Sequence, residues 1–152
     1  MKVLLQRVER ASVHVAGREV GAVGRGLLAF VCALRGDTPA EARRLAERVA
    51  RWRCFADPEG RMNLDVTQVG GAVLVVSQFT LAADGRKGHR PSFDRAAEPQ
   101  LARALCEAFR TGLDQLAVPT AAGEFGADMR VELVNDGPAT FLLERSPEPV
   151  PE

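Results

Sequence analysis

The sequence predicts an α/β fold in one compact domain, with mixed β-structure and two main helices. Three observations carry this. Residues 27–34 and 73–76 are continuous apolar runs, short enough for strands buried on both faces. Residues 38–52 and 99–116 place apolar side chains at helical spacing, one stripe in each. Residues 12–16 and 129–133 alternate apolar and polar side chains, the period of a strand with one wet face.

The elements follow in order. Residues 2–9 read as a first strand. The alternating residues 12–16 run into Gly17-Arg18, a hairpin turn leading to Glu19-Val20. Gly24 and Gly26 flank a second turn before the apolar run 27–34, a central strand ended by Gly36-Asp37. Thr38-Pro39-Ala40-Glu41 is a helix start: Thr38 caps, Pro39 fits the first helical position and Glu41 completes a capping box. Ala42, Leu45, Ala46, Val49 and Trp52 form the apolar stripe. Arg43, Arg44, Glu47, Arg48 and Arg51 form the other face, either solvated surface or a nucleic-acid contact. Asp57-Pro58-Glu59-Gly60 is a turn, and residues 62–66 suit a short edge strand.

Gly70-Gly71 then opens the stretch that organises the chain. A buried strand runs through Val76 and ends in Ser77-Gln78-Phe79-Thr80. Hydroxyl and amide groups at the end of a core strand need hydrogen-bond partners or a ligand. They either cap neighbouring backbone or form a site, since ligand sites favour strand ends in α/β sheets. Residues 82–93 are Gly-rich and basic without periodicity, an exposed loop carrying Arg86, Lys87, His89 and Arg90. That loop is either solvated or a phosphate contact.

A second helix begins at Pro99 and ends at Val118-Pro119, with Leu101, Leu105, Phe109, Gly112, Leu113 and Leu116 as its buried stripe. The strand 129–133 leads to Asn135-Asp136-Gly137-Pro138, read as a hairpin turn, and residues 139–144 return as a final strand. Residues 1–145 make the domain. Residues 146–152 hold three prolines and no core residue, an extended or disordered tail.

With 152 residues, 46% hydrophobic and 26% charged, the chain is long enough for one real core. Its formal net charge is zero, so any nucleic-acid contact must be local. Cys32, Cys54 and Cys106 are odd in number and widely spaced, which fits reduced thiols in the cytoplasm rather than a disulfide framework. The apolar start is broken by Gln6 and Arg7, too short for a signal peptide or membrane span.

Most catalytic templates find no support. His14 and His89 are the only histidines, so a histidine metal site is not expected, and neither is a cofactor. Ser77 lacks a Gly-x-Ser-x-Gly elbow, there is no phosphate-binding Gly-Lys-Ser/Thr loop, and no base is evident for Thr80. What remains is a site of backbone amides, hydroxyls and one amide side chain. Such a site can hold an oxyanion and suits a substrate that is already activated.

Several segments, in this order, resemble those of the D-aminoacyl-tRNA deacylases: Gln6-Arg7-Val8, Ala11-Ser12-Val13, Met62-Asn63-Leu64, Ser77-Gln78-Phe79-Thr80-Leu81, residues 86–93, Phe125-Gly126-Ala127-Asp128-Met129 and residues 134–140. The resemblance spans about residues 1–144. It implies mixed β-sheets forming a barrel-like β/β/α layered core. It implies a homodimeric hydrolase that cleaves the ester joining a D-amino acid, or glycine, to the terminal adenosine of tRNA. By the same resemblance, Ser77, Gln78, Phe79 and Thr80 are the catalytic segment. Gly137-Pro138 is a cis pair that binds substrate in the partner subunit's pocket, and Arg86, Lys87, His89 and Arg90 are weak tRNA contacts. The chain departs from the family pattern at Ala82, His89 and Ala139.

The chemistry is coherent on its own terms. A ribose ester has a vicinal hydroxyl and needs little acid–base help. Amides near Phe79 and Thr80 can receive the ester oxygen, and the Gly-Pro carbonyls can accept from the substrate ammonium. With those groups fixed, a D side chain points outward and an L side chain strikes the wall. Three rivals stand beside this reading: a non-catalytic RNA-binding module, a hydrolase of other small aminoacyl esters, and a structural dimer whose polar strand end is merely capped.

Overall fold

In the computed structural model, residues 1–147 are described; all but the first two residues of the expected tail lie outside them. Strand β1 (Lys2–Val15) is the seam of the sheet. Where the sequence suggests a strand and a separate alternating stretch, the two are one strand of 14 residues. Val3 and Leu5 face inward, then Val8, then Ala11 and Val13; the alternation slips where the register against the last strand shifts.

Ala16 and Gly17, with φ of 49° and 77°, make the tight turn into β2 (Arg18–Val23), which pairs antiparallel with the second half of β1. Strand β3 (Gly26–Cys32) pairs antiparallel with the first half of β1, from Val8↔Gly26 to Lys2↔Cys32. It stops two residues short of the expected Leu34.

Helix α1 (Pro39–Ala50) carries the capping box expected of Thr38 and Glu41: Ala40 N donates to Thr38 Oγ1 at 3.2 Å and Thr38 N to Glu41 Oε2 at 2.8 Å. A small hairpin, β4 (Phe55–Ala56) with β5 (Met62–Leu64), stands apart from the main sheet. Strand β6 (Ala72–Ser77) then lies parallel to β3, and β7 (Thr120–Ala122) parallel to β6 after helix α2 (Pro99–Gln115).

β3 and β6 are buried on both faces, as their apolar runs require. Leu27, Ala29, Val73 and Val75 meet the helices through Leu45, Val49, Phe109 and Leu113. Leu28, Leu74 and Val76 face the other way, onto Val8, Ala11 and Val13. The helices touch closely at Gly112, where an added Cβ would lie 2.8 Å from that of Ala46. β2 swings round to β7: a Cβ on Gly21 would collide with the Ala122 carbonyl, so the sheet curls into a nearly closed barrel. Among the described residues no helix is long and apolar enough to cross a membrane.

The last strand corrects the expected hairpin. β8 (Arg130–Glu144) is one strand on the far edge of β1, paired from His14↔Arg130 to Lys2↔Glu144. Asn135-Asp136-Gly137-Pro138 does not reverse the chain. While β1 advances from Val8 to Gln6, β8 advances from Asn135 to Thr140, so the extra residues bulge out of the edge. Asn135 clips the bulge: its Oδ1 accepts from Ala139 N at 2.9 Å and its Nδ2 donates to Thr140 Oγ1 at 3.1 Å. Pro138, without an N–H, sits in the bulge of an edge strand.

Of the glycines, Gly26 leaves the least room for a side chain, since a methyl there would land on the carbonyl oxygen of Ala72. The obstacle is main chain of the neighbouring core strand. Gly26→Ala is expected to destabilise the fold by about 3 kcal/mol, the upper range for overpacking. Urea unfolding checks this, with Gly85→Ala as the control because nothing lies near a Cβ there.

Candidate active site

β3 and β6 end side by side, with Val31 opposite Ser77. Gln78 N still donates to the Val31 carbonyl at 2.8 Å. The backbone then leaves the strand at Gln78 (φ −144°, ψ 77°) and enters one turn of 3-10 helix, Phe79–Ala82. Such a turn leaves its first N–H groups without partners inside it. Among the described residues, neither the Phe79 nor the Thr80 amide finds a protein acceptor.

The side chains divide. Ser77, Gln78 and Phe79 line a cleft of ≈ 510 Å³, closed by Val31 and Val76, by Pro99 and Ala102 of α2, and by Phe125 and Met129. Thr80 is exposed and does not line it; its Oγ1 accepts from Gln78 Nε2 at 2.5 Å. Phe79 is 56% exposed, its ring edge-on to Phe93 at 5.1 Å. Cys32 lies beneath, its Sγ 3.7 Å from the Phe79 carbonyl; burial pushes its thiol pKa up and keeps it protonated. Among the described residues no histidine or carboxylate lines the cleft. The walls are largely apolar, and their polar features are the serine, the glutamine amide and the free backbone donors.

Gly137 and Pro138 do not line this cleft within the chain. They are exposed on the β8 bulge, their peptide cis and Gly137 at φ 132°. The bulge is held from below by Arg7, which sequence reasoning did not single out. Arg7 Nε donates to the Asp136 carbonyl at 3.0 Å and Nη1 to the Cys54 carbonyl at 2.6 Å; Nε lies 3.4 Å from Asp136 Oδ2. The φ of Gly137 favours glycine, and a Cβ there would also crowd Arg7 Nη2 at 2.7 Å and Ala139 N at 3.1 Å.

The basic loop is closed at its base by Asp84 and Ser92, which exchange two backbone hydrogen bonds of 2.8 and 2.9 Å. Of its four cationic or titratable side chains, Arg86 is taken up by Asp84, whose carboxylate accepts from Nε at 2.9 Å and Nη2 at 2.5 Å. That hydrogen bonding holds the Asp84 carboxyl at about 2. The depressed value means the pairing is complete above the ordinary carboxylate range and is lost only as pH falls through about 2. Lys87, His89 and Arg90 are exposed.

Phe125 and Met129 form a wall of the cleft that the sequence did not assign to the site. Phe125 follows β7 in a segment without periodicity and Met129 opens the alternating stretch that becomes the last strand, and the pairing of β7 with β6 brings both beside Ser77.

The arrangement has close relatives. A family model described as D-Tyr-tRNA(Tyr) deacylase matches residues 4–144. A protein named D-aminoacyl-tRNA deacylase from Halorhodospira halophila is 56% identical, over 98% of this chain and 97% of that one. One of the same name from Roseiflexus castenholzii is 55% identical, over 95% and 92%. Among solved structures, the c-Myc DNA unwinding element binding protein superposes with a TM-score of 0.91 at 35% identity, covering 97% of this chain and all of that one. A probable eukaryotic D-amino acid tRNA deacylase, at TM-score 0.77 and 18% identity, shares the fold. With the family model matching residues 4–144 and a relative 56% identical over 98% of the chain, this chain belongs to the D-Tyr-tRNA(Tyr) deacylase family.

Proposed function

We propose that this protein is a D-aminoacyl-tRNA deacylase, hydrolysing the ester between a D-amino acid, or glycine, and the terminal adenosine of tRNA. The observation that carries the reading is the cleft itself: free backbone donors at the end of a buried strand, with no acid or base beside them among the described residues. Such a cleft can stabilise an oxyanion and little else, which matches an ester activated by its neighbouring ribose hydroxyl. The adenosine fits the apolar wall of Phe125 and Met129. The ester carbonyl faces the Phe79 and Thr80 amides, and Ser77 and Gln78 orient it. A water assisted by the ribose hydroxyl is the nucleophile.

The active unit is a homodimer. The Gly137 and Pro138 carbonyls enter the partner's cleft and accept from the substrate ammonium. Two features support this. The bulge stands exposed, away from its own cleft, on an edge strand of 15 residues. That strand also exposes Leu142, 53% accessible, and a long edge with apolar side chains invites a second chain. Lys87, His89 and Arg90 contact tRNA phosphates weakly. The protein works in the cytoplasm, consistent with its three free cysteines.

Deacylation of matched D- and L-tyrosyl-tRNA tests the reading. The D ester is released and the L ester persists. Equal rates on the two would overturn chiral proofreading, and tRNA binding without release of either would leave an RNA-binding module instead.

A further inference from the structure

A second groove lies beside the cleft. It has a volume of ≈ 280 Å³ and shares Ser77 and Phe125 with the cleft as common walls. Its far side is α2, which presents Arg103 and Arg110; Glu107 and Glu124 also line it. The Arg103 guanidinium lies 4.7 Å from the centroid of the Phe125 ring. Arg110 is steadied by its Nε, which donates to Thr120 Oγ1 at 3.1 Å. Glu107 stands one turn from each arginine, a spacing that allows ion pairs. Yet among the described residues neither guanidinium has a carboxylate within salt-bridge distance. Among the described residues neither guanidinium is thus taken up in a direct ion pair, although Arg110 reaches the Asp114 carboxylate through the Thr120 hydroxyl.

We propose that this groove binds the nucleotide preceding the terminal adenosine, with its phosphate on Arg103 and Arg110. The proposal rests on the deacylase reading, which puts the adenosine in the cleft. From there the strand must leave in some direction, and Phe125 is the wall common to both spaces. Arginine forks match phosphate oxygens, and a guanidinium stacked on an aromatic ring is a platform on which a base can also lie. The two glutamates make the wall mixed rather than purely cationic. That disfavours free inorganic phosphate and suits a nucleotide, whose base amino groups can donate to a carboxylate. The volume is about what one small ligand fills.

The test compares two substrates, D-tyrosyl-tRNA and D-tyrosyl-adenosine, which lacks the preceding nucleotide. Arg103→Gln is expected to raise KM for D-tyrosyl-tRNA about tenfold with kcat unchanged, a shift in the range of one charged contact. It leaves D-tyrosyl-adenosine untouched. D-tyrosyl-CpA, with one nucleotide restored, follows the tRNA. The slope of log KM against log salt falls by roughly 0.7 for the lost phosphate contact. Arg103 is exposed, so the fold is not at stake. Equal effects on both substrates, or none on either, would overturn the assignment. Wild-type protein that hydrolyses neither ester fails differently, overturning the deacylase reading and this assignment with it.

Discussion

Thr80→Ala leaves turnover of D-tyrosyl-tRNA within about threefold of wild type, the scale of one exposed neutral hydrogen bond. Thr80→Pro lowers kcat by about 10²- to 10³-fold, the effect of removing one oxyanion donor. The two variants separate the side chain from the main chain at one position. The Thr80 hydroxyl oxygen accepts from the Gln78 amide at 2.5 Å, and an amide donor cannot take its proton. Among the described residues the Thr80 hydroxyl meets only the Gln78 amide, and no histidine or carboxylate lines the neighbouring cleft, so no base is at hand to activate it. On the proposed reading the backbone N–H is the group with chemistry to do: it lies in the first turn of the 3-10 helix, second after Phe79, and among the described residues has no protein acceptor. Proline here breaks no existing hydrogen bond, and its ring crowds only Phe79, so the same variant one place earlier, Phe79→Pro, is the control for a disturbed turn. Single-turnover kinetics on charged tRNA, with a thermal melt to check folding, decide the matter. A folded Thr80→Ala protein without turnover would make the hydroxyl the nucleophile. A folded Thr80→Pro protein with full turnover would remove the amide from the mechanism.

What the sequence made legible was local, or strongly buried. The start of α1 could be read because Thr38, Pro39 and Glu41 act within one turn of each other. β3 and β6 could be read because burial on both faces demands unbroken apolar runs. Ser77 and Gln78 stood out because polar groups at such a strand end need an explanation. β7 escaped: Thr120, Ala121 and Ala122 are three small residues whose place is set by β6. β8 was misread because Asn135-Asp136-Gly137-Pro138 carries a real local turn signal. β1, at 14 residues, is long enough to pair with both halves of β8, and that non-local ladder converts a turn into a bulge. Arg7 was silent for a related reason. Its meaning lies in meeting carbonyls 47 and 129 positions away, and no spacing rule reaches that far.

Arg7→Leu is expected to lower kcat/KM at least about 100-fold, the effect of about 2.7 kcal/mol lost from the transition state. The side chain is 13% exposed and donates to two carbonyls, one of them at the root of the Gly137-Pro138 bulge. Leucine fills similar space but leaves both carbonyls without a cationic donor, at a stability cost of about 3 kcal/mol. The defect therefore belongs to the bulge, whereas that of Thr80→Pro belongs to the cleft. Mixing separates a shared site from a private one. In a two-fold dimer where each cleft takes its partner's bulge, a mixed dimer of the two variants has one site with both defects and one with neither. Co-refolding equal amounts makes half the dimers mixed, so about one quarter of wild-type activity returns from two nearly inactive proteins. If cleft and bulge of the same chain worked together, every site would keep one defect and no activity would return. Activity recovered on mixing, measured against each variant refolded alone, thus reports whether a cleft works with the bulge of its own chain or with its partner's.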